Sequence, residues 1–396
     1  AHLARRGAEY GLRIPAVEVD YPAVIGRARD IAVKSRDELA SSLESTPNLS
    51  LIRGHARFEG GDADGFRLRV GTRSVSARHV VLDTGTRSVI PPIEGLEGAG
   101  YVHAGNWLDL EELPARLVII GGGAIGLEMA QFYRRLGSEV AVIEGGKQVA
   151  GHEDGDVASA LRQLLEAEGI RFLLETRVEK VEGQAGKLRV VAGGARLDAT
   201  HVFVATGRRP NTDDLGLETV GVKTSKHGMV EVDARLATSV AGIWAVGDIR
   251  GGPMFTHTAW DDYRIVESQI AGDGSRTTDR VVPYAVFTDP ELGRVGMTEE
   301  EARKAGRSVR IGRFEMKANG KAREVGATAG FIKVVVDAED DRLLGAAVLA
   351  SEGAELVHAY VTLMNAGAPF TAIRDAVFIH PTLAEAVQSA VSDLPA

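Results

Sequence analysis

The chain contains no cysteine. That absence excludes disulfides, thiolate metal sites and thiol catalysis by any residue of the sequence as written. It also contains no apolar run approaching the length that spans a bilayer, which predicts a chain that stays off the membrane. Basic clusters are missing as well. With a net charge of −9, nucleic acid and anionic membrane are excluded as main partners. No secretory signal opens the chain as written, and a cytoplasmic setting is expected.

What the sequence does have is length and apolar residues. At 396 residues, 44% of them hydrophobic, it can fill two to four domain cores. The most informative stretch is Leu117 to Glu144. Leu117 to Ile120 form a short apolar run that stops at Gly121, Gly122 and Gly123, followed by Ala124, Ile125 and Gly126. Ile125, Met129, Phe132, Tyr133 and Leu136 then recur at helical spacing. The pattern predicts a buried strand, a tight turn and an amphipathic helix that Gly137 ends. Gly121 permits the turn, Gly123 lets a pyrophosphate approach the backbone, and Gly126 lets the helix pack on the strand. The phosphates would sit on the helix N-terminus, where N–H groups and the helix dipole favour anions. A second strand, Val140 to Ile143, finishes in Glu144, near the spacing at which an acid accepts from both ribose hydroxyls. A carboxylate there repels a 2′-phosphate and favours NAD over NADP. A glycine turn alone is ordinary α/β core chemistry; strand, helix and terminal acid in register point to dinucleotide binding.

Upstream, Tyr21 to Ser45 reads as an amphipathic helix with Pro22 near its start. Leu49 to Val81 alternates, with turn signals at Gly60-Gly61, Asp64-Gly65 and Gly71, and predicts a small antiparallel sheet. It closes on a strand and loop, His79 to Pro91, containing Thr84-Gly85. Downstream, a helix at about Asp154 to Glu168 and strands near 170–174, 177–182 and 187–191 close on His201 to Asn211, containing Thr206-Gly207. The two closing segments match, which implies two copies of one nucleotide-binding unit. Their offset, His79 to His201, is 122 positions and puts the first copy's glycine loop ahead of Ala1. The expectation is a fragment whose first copy has lost its opening, at least roughly the 30 residues of a βαβ start.

Gly242 to Asp248 is a further apolar strand ending in Gly247-Asp248, ahead of a helix opened by Thr256. Asp248 could bind a cofactor's polyol chain or merely cap the helix. From Tyr284 onward, five strands and helices near 298–305 and 352–365 form an α+β pattern with no glycine loop. In the last segment Pro381 suits the first position of a helix, and Glu385 stands within reach of His380. A His oriented by a carboxylate is an acid/base arrangement; a capping His beside a surface Glu is the commoner one.

Taken together, Thr84-Gly85 with Pro91, Gly121 to Gly126 with Glu128, Ala205-Thr206-Gly207, Gly247-Asp248, Phe287 to Glu291 with Val295-Gly296, and His380-Pro381-Thr382 with Glu385 resemble the flavin-dependent pyridine nucleotide-disulfide oxidoreductases. This is the group of lipoamide dehydrogenase, glutathione reductase and mercuric reductase. The segment Phe255 to Val266 looks most like the mercuric-reductase-like branch that includes flavoproteins of reactive-chlorine resistance.

The resemblance implies an α/β fold with two Rossmann-like nucleotide-binding domains, for FAD and NAD, of three-layer ββα type, plus a C-terminal α+β dimerisation domain. Expected boundaries are 1–112 for a partial FAD domain, 113–240 for the NAD domain, 241–278 for the return to the FAD domain and 279–396 for the interface domain. FAD would meet His55, Ala56, Thr84, Gly85, Thr86, Gly247 and Asp248, the last on the ribityl chain. NAD(H), rather than NADP(H), would be held by Gly121, Gly122, Gly123, Ala124, Ile125, Gly126, Glu144, Val178 and Gly207, with Glu128 beside the nicotinamide. His380 with Glu385 would serve the partner subunit of a homodimer as acid/base for a redox thiol. No metal is expected as a resident cofactor.

The implied activity passes a hydride from NAD(P)H to FAD and, in the complete enzyme, to a disulfide and on to a thiol, disulfide or metal-ion substrate. The departures are specific. The family's Cys-x4-Cys pair lies upstream of Ala1, no cysteine pair closes the chain, Phe378 and Ala384 replace a usual His and Ser, and Asp83 replaces the usual Ala before Thr-Gly. A cysteine-free NADH oxidase or diaphorase, and a non-catalytic nucleotide-binding dimer, are the alternatives.

Overall fold

The computed structural model describes residues 1–394. In chain order, a helix α1 (Tyr21–Ser45) precedes a meander of β1 (Ala56–Asp62), β2 (Gly65–Val70) and β3 (Arg73–Ala77), then β4 (Val80–Leu82) and β5 (Thr86–Ser88). Next come β6 (Val102–His103), β7 (Arg116–Ile120), α2 (Ala124–Leu136), β8 (Glu139–Ile143), α3 (Gly155–Ala167) and β9 (Arg171–Leu173). A second meander, β10 (Val178–Gln184), β11 (Lys187–Ala192) and β12 (Ala195–Ala199), leads to β13 (His201–Val204), β14 (Arg208–Pro210), β15 (Ile243–Ala245) and α4 (Thr256–Ala271). The rest is β16 (Pro283–Val286), β17 (Glu291–Gly296), α5 (Glu299–Lys304), β18 (Val309–Glu315), β19 (Phe331–Asp337), β20 (Leu343–Ala350), α6 (His358–Ala366) and α7 (Glu385–Ser392).

The backbone divides into two compact units. One comprises residues 1–21, 90–206 and 281–396. Its parallel sheet, ordered β6-β13-β7-β8-β9, has the strand–helix–strand connections that a parallel ladder requires. Alternate residues of β7 face opposite ways, and both sides are buried. Val118 and Ile120 meet Val181, Leu188 and Val190 of the second meander in one core. The result is a helix layer, a parallel sheet and a meander layer. The same unit holds a five-stranded antiparallel sheet, β16-β17-β20-β19-β18, whose Ile332, Val334 and Val348 pack with Tyr360 of α6 and Val387 and Val391 of α7.

The other unit comprises residues 22–89 and 207–280. Here β4 pairs in parallel with β15, β5 pairs antiparallel with β14, and the first meander supplies Phe58 and Phe66 to a core with Leu82, Ile243 and Ile249. Two copies of the same motif are thus visible: a three-stranded meander, then a short parallel strand ending in Thr-Gly.

Several expectations need correction. Helix α1 buries Tyr21 and Ile25 but leaves Ile31, Val33 and Leu39 exposed, so its amphipathic pattern is used over the first two turns. The first meander begins at Ala56 rather than Leu49, and Val80 and Val81 leave it to pair with β15. The most buried face of α2 is Gly126, Leu127, Ala130, Gln131 and Tyr133; Ile125, Met129, Phe132 and Leu136 are half-buried beside it. The close approach that Gly126 permits turns that glycine's side of the helix inward. The helix expected near 352–365 is broken at Val357 into Gly353–Leu356 and α6. Pro381 does not start a helix: α7 begins at Glu385, and residues 381–384 form an irregular turn.

Candidate functional site

The first site residues surround the glycine loop. Gly121 has φ +109°, and a Cβ there would lie 2.4 Å from the Ala205 carbonyl oxygen, so no other residue fits. A Cβ on Gly126 would lie 2.0 Å from the Gly121 oxygen, which is why α2 can start directly over the loop. Gly123 faces open space and is the N-cap of α2, with no side chain capping the amides behind it. Ala124 and Ile125 follow as the first turn of the helix. A thirteen-residue helix with an uncapped, accessible start is a fit for a pyrophosphate, satisfying orphan N–H groups with charge-assisted bonds.

Glu144, one residue beyond β8, is held on both oxygens. Oε2 accepts from the Gly122 amide at 2.7 Å and Oε1 from the Gly146 amide at 2.7 Å. A carboxylate has about four acceptor positions, so two remain for ribose hydroxyls. The backbone past Glu144 is fixed in turn: Thr176 N–H donates to the Glu144 carbonyl just before Val178 opens β10. Val178 itself packs against the hydrophobic core. Gly207, φ +121°, belongs to the other compact unit, where its carbonyl accepts from Val89 N–H at 2.9 Å.

Glu128, one turn into α2, accepts from the Phe287 amide at 2.9 Å. Burial raises its carboxyl above the ordinary value, and the Phe287 hydrogen bond works against that shift without cancelling it.

In the second unit, the carboxyl ends of the paired strands β4 and β15 bring Thr84, Gly85, Thr86, Gly247 and Asp248 together. Thr86 Oγ1 donates to Asp248 Oδ2 at 2.6 Å, and Arg208 Nε donates to Thr86 Oγ1 at 2.6 Å while lying 3.5 Å from Asp248. Asn211 clamps the Thr-Gly loop, its Nδ2 donating to Thr84 O at 2.8 Å and its N–H to Gly85 O at 3.0 Å. Asp248 is therefore not the cap of α4, whose N-cap is Phe255. Beneath it, Gly247 N–H donates to the fully buried Asp262, which Arg250 and Arg280 neutralise. Asp83 carries a carboxyl raised by burial and by the nearby Asp248 and Asp262 charges. His55 and Ala56 stand at the start of β1, where His55 Nε2 lies 3.1 Å from the Asp214 carbonyl oxygen. The cluster around Asp248 suits a polyol chain. The strand–glycine-loop–helix unit among the described residues is the one at Gly121 in the first unit.

The third cluster is at the C-terminal end. His380 Nδ1 lies 3.0 Å from Glu385 Oε1, although His380 is exposed. Glu385 Oε2 also accepts from the Thr382 amide at 2.9 Å. That backbone bond first, and His380 second, hold the Glu385 carboxyl below its usual range. Pairing at Nδ1 leaves Nε2 of the imidazole free for proton exchange, as an acid/base group requires.

Two family models match the chain: pyridine nucleotide-disulphide oxidoreductase over residues 13–262, and its dimerisation domain over residues 282–391. The chain belongs to this family. Among its relatives are the probable pyridine nucleotide-disulfide oxidoreductase RclA of Escherichia coli, 34% identical over 94% of this chain and 85% of that protein, and dihydrolipoyl dehydrogenase of Thermus scotoductus, 36% identical over 98% and 84%. Among solved structures, the Cu(II) complex of the HOCl-induced flavoprotein disulfide reductase RclA from Escherichia coli superposes with a TM-score of 0.89 at 33% identity, covering 99% of this chain and 87% of that one. LpdA of Mycobacterium tuberculosis, at 23% identity and a TM-score of 0.90, shares the fold. This pyridine nucleotide-disulfide oxidoreductase is accordingly an FAD-dependent, NAD(P)H-oxidising enzyme type with a dimerisation domain.

Sequence reasoning missed the polar groups that hold these sites in place. Arg208 and Asn211, just past the Thr206-Gly207 pair, lock the Thr84-Gly85-Thr86 loop. Arg294 and Lys333 are buried inside strands β17 and β19. A charge in the middle of a mostly apolar strand was the available signal, because such a group is retained only with a buried partner.

Proposed function

We propose that this chain is the NADH-using part of a homodimeric flavoprotein disulfide reductase. The observation that carries the reading is Glu144, held by Gly122 and Gly146 amides at the end of β8 and set beside the open N-terminus of α2. The helix start binds the pyrophosphate, and Glu144 accepts from the adenosine ribose and repels a 2′-phosphate. Glu128, whose carboxyl burial holds above its ordinary value, lies one turn further along toward the nicotinamide end. FAD, when bound, supplies the hydride acceptor. Asp248 with Thr86 would hold its ribityl chain, Thr84 and Gly85 would lie against the nucleotide, and His55 and Ala56 would meet its adenine side.

His380, oriented by Glu385, moves a proton to and from a thiol of the partner subunit's active site. The final acceptor is a small disulfide or a metal ion; the Cu(II) complex of the similar RclA supports the second.

Anaerobic mixing of the FAD-loaded holoenzyme with NADH tests this. Bleaching of the flavin absorbance supports the hydride step, and subsequent addition of lipoamide, glutathione disulfide, Cu(II) or a quinone identifies the acceptor. Flavin that NADH does not reduce contradicts the proposal.

A further inference from the structure

The residues from Gly145 to Asp154 are not a slack connection. The amide of Gly146 returns to Glu144, and Ala150, in the left-handed region at φ +46°, donates its N–H to Gly122 O at 2.9 Å. A non-glycine residue there is held by its surroundings against its own preference. Val149 is buried and would be 3.3 Å from a Cβ on Gly122. The segment is thus a strap lying across the glycine loop, tied to it at Gly122 and to Glu144.

Its far end is fastened in the C-terminal antiparallel sheet of the same unit. Glu153 N–H donates to Ala150 O at 2.8 Å, and Gln148 Nε2 to Glu153 O at 2.8 Å, which stiffens the last turn of the strap. The Glu153 carboxylate then pairs with Arg294 of β17, Nε to Oε2 2.7 Å, with both side chains 3% exposed. Tyr284 of β16 donates its hydroxyl to the other Glu153 oxygen, and Arg294 also donates to the Ala346 carbonyl of β20. Burial, then the Glu153 charge, pushes the Tyr284 phenol up, so it stays protonated and donating. One residue on, Asp154 accepts from the Glu299 and Glu300 amides at 3.0 and 3.1 Å.

A buried ion pair is a weak stabiliser, because desolvation offsets most of its attraction. What it does well is fix geometry. We infer that Glu153, Arg294 and Tyr284 are positioning residues for dinucleotide binding: they anchor the strap so that Gly122 and Glu144 keep the spacing that the adenosine end of NADH needs. This rests on the reading of Glu144 and the glycine loop as the NADH site.

The test measures NADH and NADPH dissociation constants by nucleotide fluorescence, together with Tm, for the chain and a set of variants. Tyr284→Phe removes one hydrogen bond to a charged group with little change of shape and is expected to weaken NADH roughly tenfold. The triple variant Glu153→Leu, Arg294→Met, Tyr284→Phe replaces the cluster by apolar groups, which keeps Tm near that of the parent but removes the polar tie at Glu153 and leaves only the Asp154 bonds at the far end of the strap. Its NADH affinity is expected to fall at least as far, and its preference over NADPH to shrink. Val391→Ala, in the C-terminal core away from the strap, is expected to lower Tm without changing either constant. If the triple variant binds NADH like the parent, or if affinity tracks Tm across the whole set, the cluster is structural only and the inference is overturned. If Glu144→Ala also leaves NADH binding unchanged, the site itself has been misplaced, a separate failure.

Discussion

Glu144 Oε2 accepts a 2.7 Å hydrogen bond from the Gly122 amide across 22 residues of sequence, and so ties the end of β8 to the turn that opens α2. The carboxylate proposed to meet the ribose therefore also shapes the turn that opens α2. Glu144→Gln keeps the size but loses the charge. It is expected to weaken NADH binding by roughly tenfold, the worth of a charge-assisted bond, and to weaken NADPH binding less. Titration of both nucleotides against both proteins checks this; an equal loss for the two contradicts it.

Gly126→Ala puts a methyl group 2.0 Å from the Gly121 carbonyl oxygen. Because the clash is with backbone, α2 must move off the sheet, at a cost of about 1–3 kcal/mol. Thermal unfolding should show a lowered Tm, and NADH affinity should fall with it. A variant of parental stability contradicts the close-packing account.

Lys333 of β19 is 6% exposed and pairs with Asp154, Asp156 and Glu299 at 3.1, 3.1 and 2.9 Å. Burial works against its charge, but the hydrogen bonds to Glu299 and Asp156 and the acidic charges outweigh it, and its pKa is raised. A raised lysine contributes stability that is full below its unfolded value and lost as pH climbs through the folded one, so the loss falls above about pH 10.4. Lys333→Met removes the cation these carboxylates share, leaving Asp154 to the Glu299 and Glu300 amides, Asp156 to Arg313 and Glu299 to Arg303, and is expected to cost about 1–3 kcal/mol in denaturant unfolding at neutral pH. A cost below about 1 kcal/mol contradicts a buried network and matches a surface one.

Glu385 is the opposite case. Its carboxyl is depressed by the Thr382 amide and then by His380, so its contribution is present above the unfolded pKa and lost as pH falls through the depressed folded one. The protection of the Thr382 amide against hydrogen exchange, measured relative to its intrinsic rate, should fall in acid, below the usual carboxylate range, as the acceptor protonates. In Glu385→Gln the acid-dependent step should vanish. An amide whose protection does not change with pH in the parent contradicts the cap.

The elements that carry the proposed NADH site were readable because each is local. Strand, glycines, helix and terminal acid lie within 28 residues, and the backbone positions that demand glycine show as glycine. The repeated meander and Thr-Gly loop were likewise visible as a repeat, although β12 was not, since a five-residue strand of Ala, Arg, Leu, Asp and Ala offers only one large apolar side chain. The reach of His380 to Glu385 was found for the wrong reason: the turn over residues 381–384 brings them together before α7 begins, rather than a helix carrying both. What periodicity cannot show is pairing across the chain. Glu153 and Arg294 are far apart in sequence, and their 2.7 Å contact depends on the strap meeting the C-terminal sheet. The exposed Ile31 and Leu39 of α1 show the same limit from the other side, because an apolar spacing says which residues share a face and not whether anything covers it.

Discrimination between two nucleotides that differ by one phosphate is the most direct consequence of Glu144 at the end of β8. Fluorescence titration of the chain with NADH and with NADPH, at one ionic strength, is the deciding measurement. Glu144 predicts saturable NADH binding and at least roughly tenfold weaker NADPH binding, the effect of a charge a few ångströms from a 2′-phosphate in a partly screened site. Equal affinities, or a preference for NADPH, would contradict it.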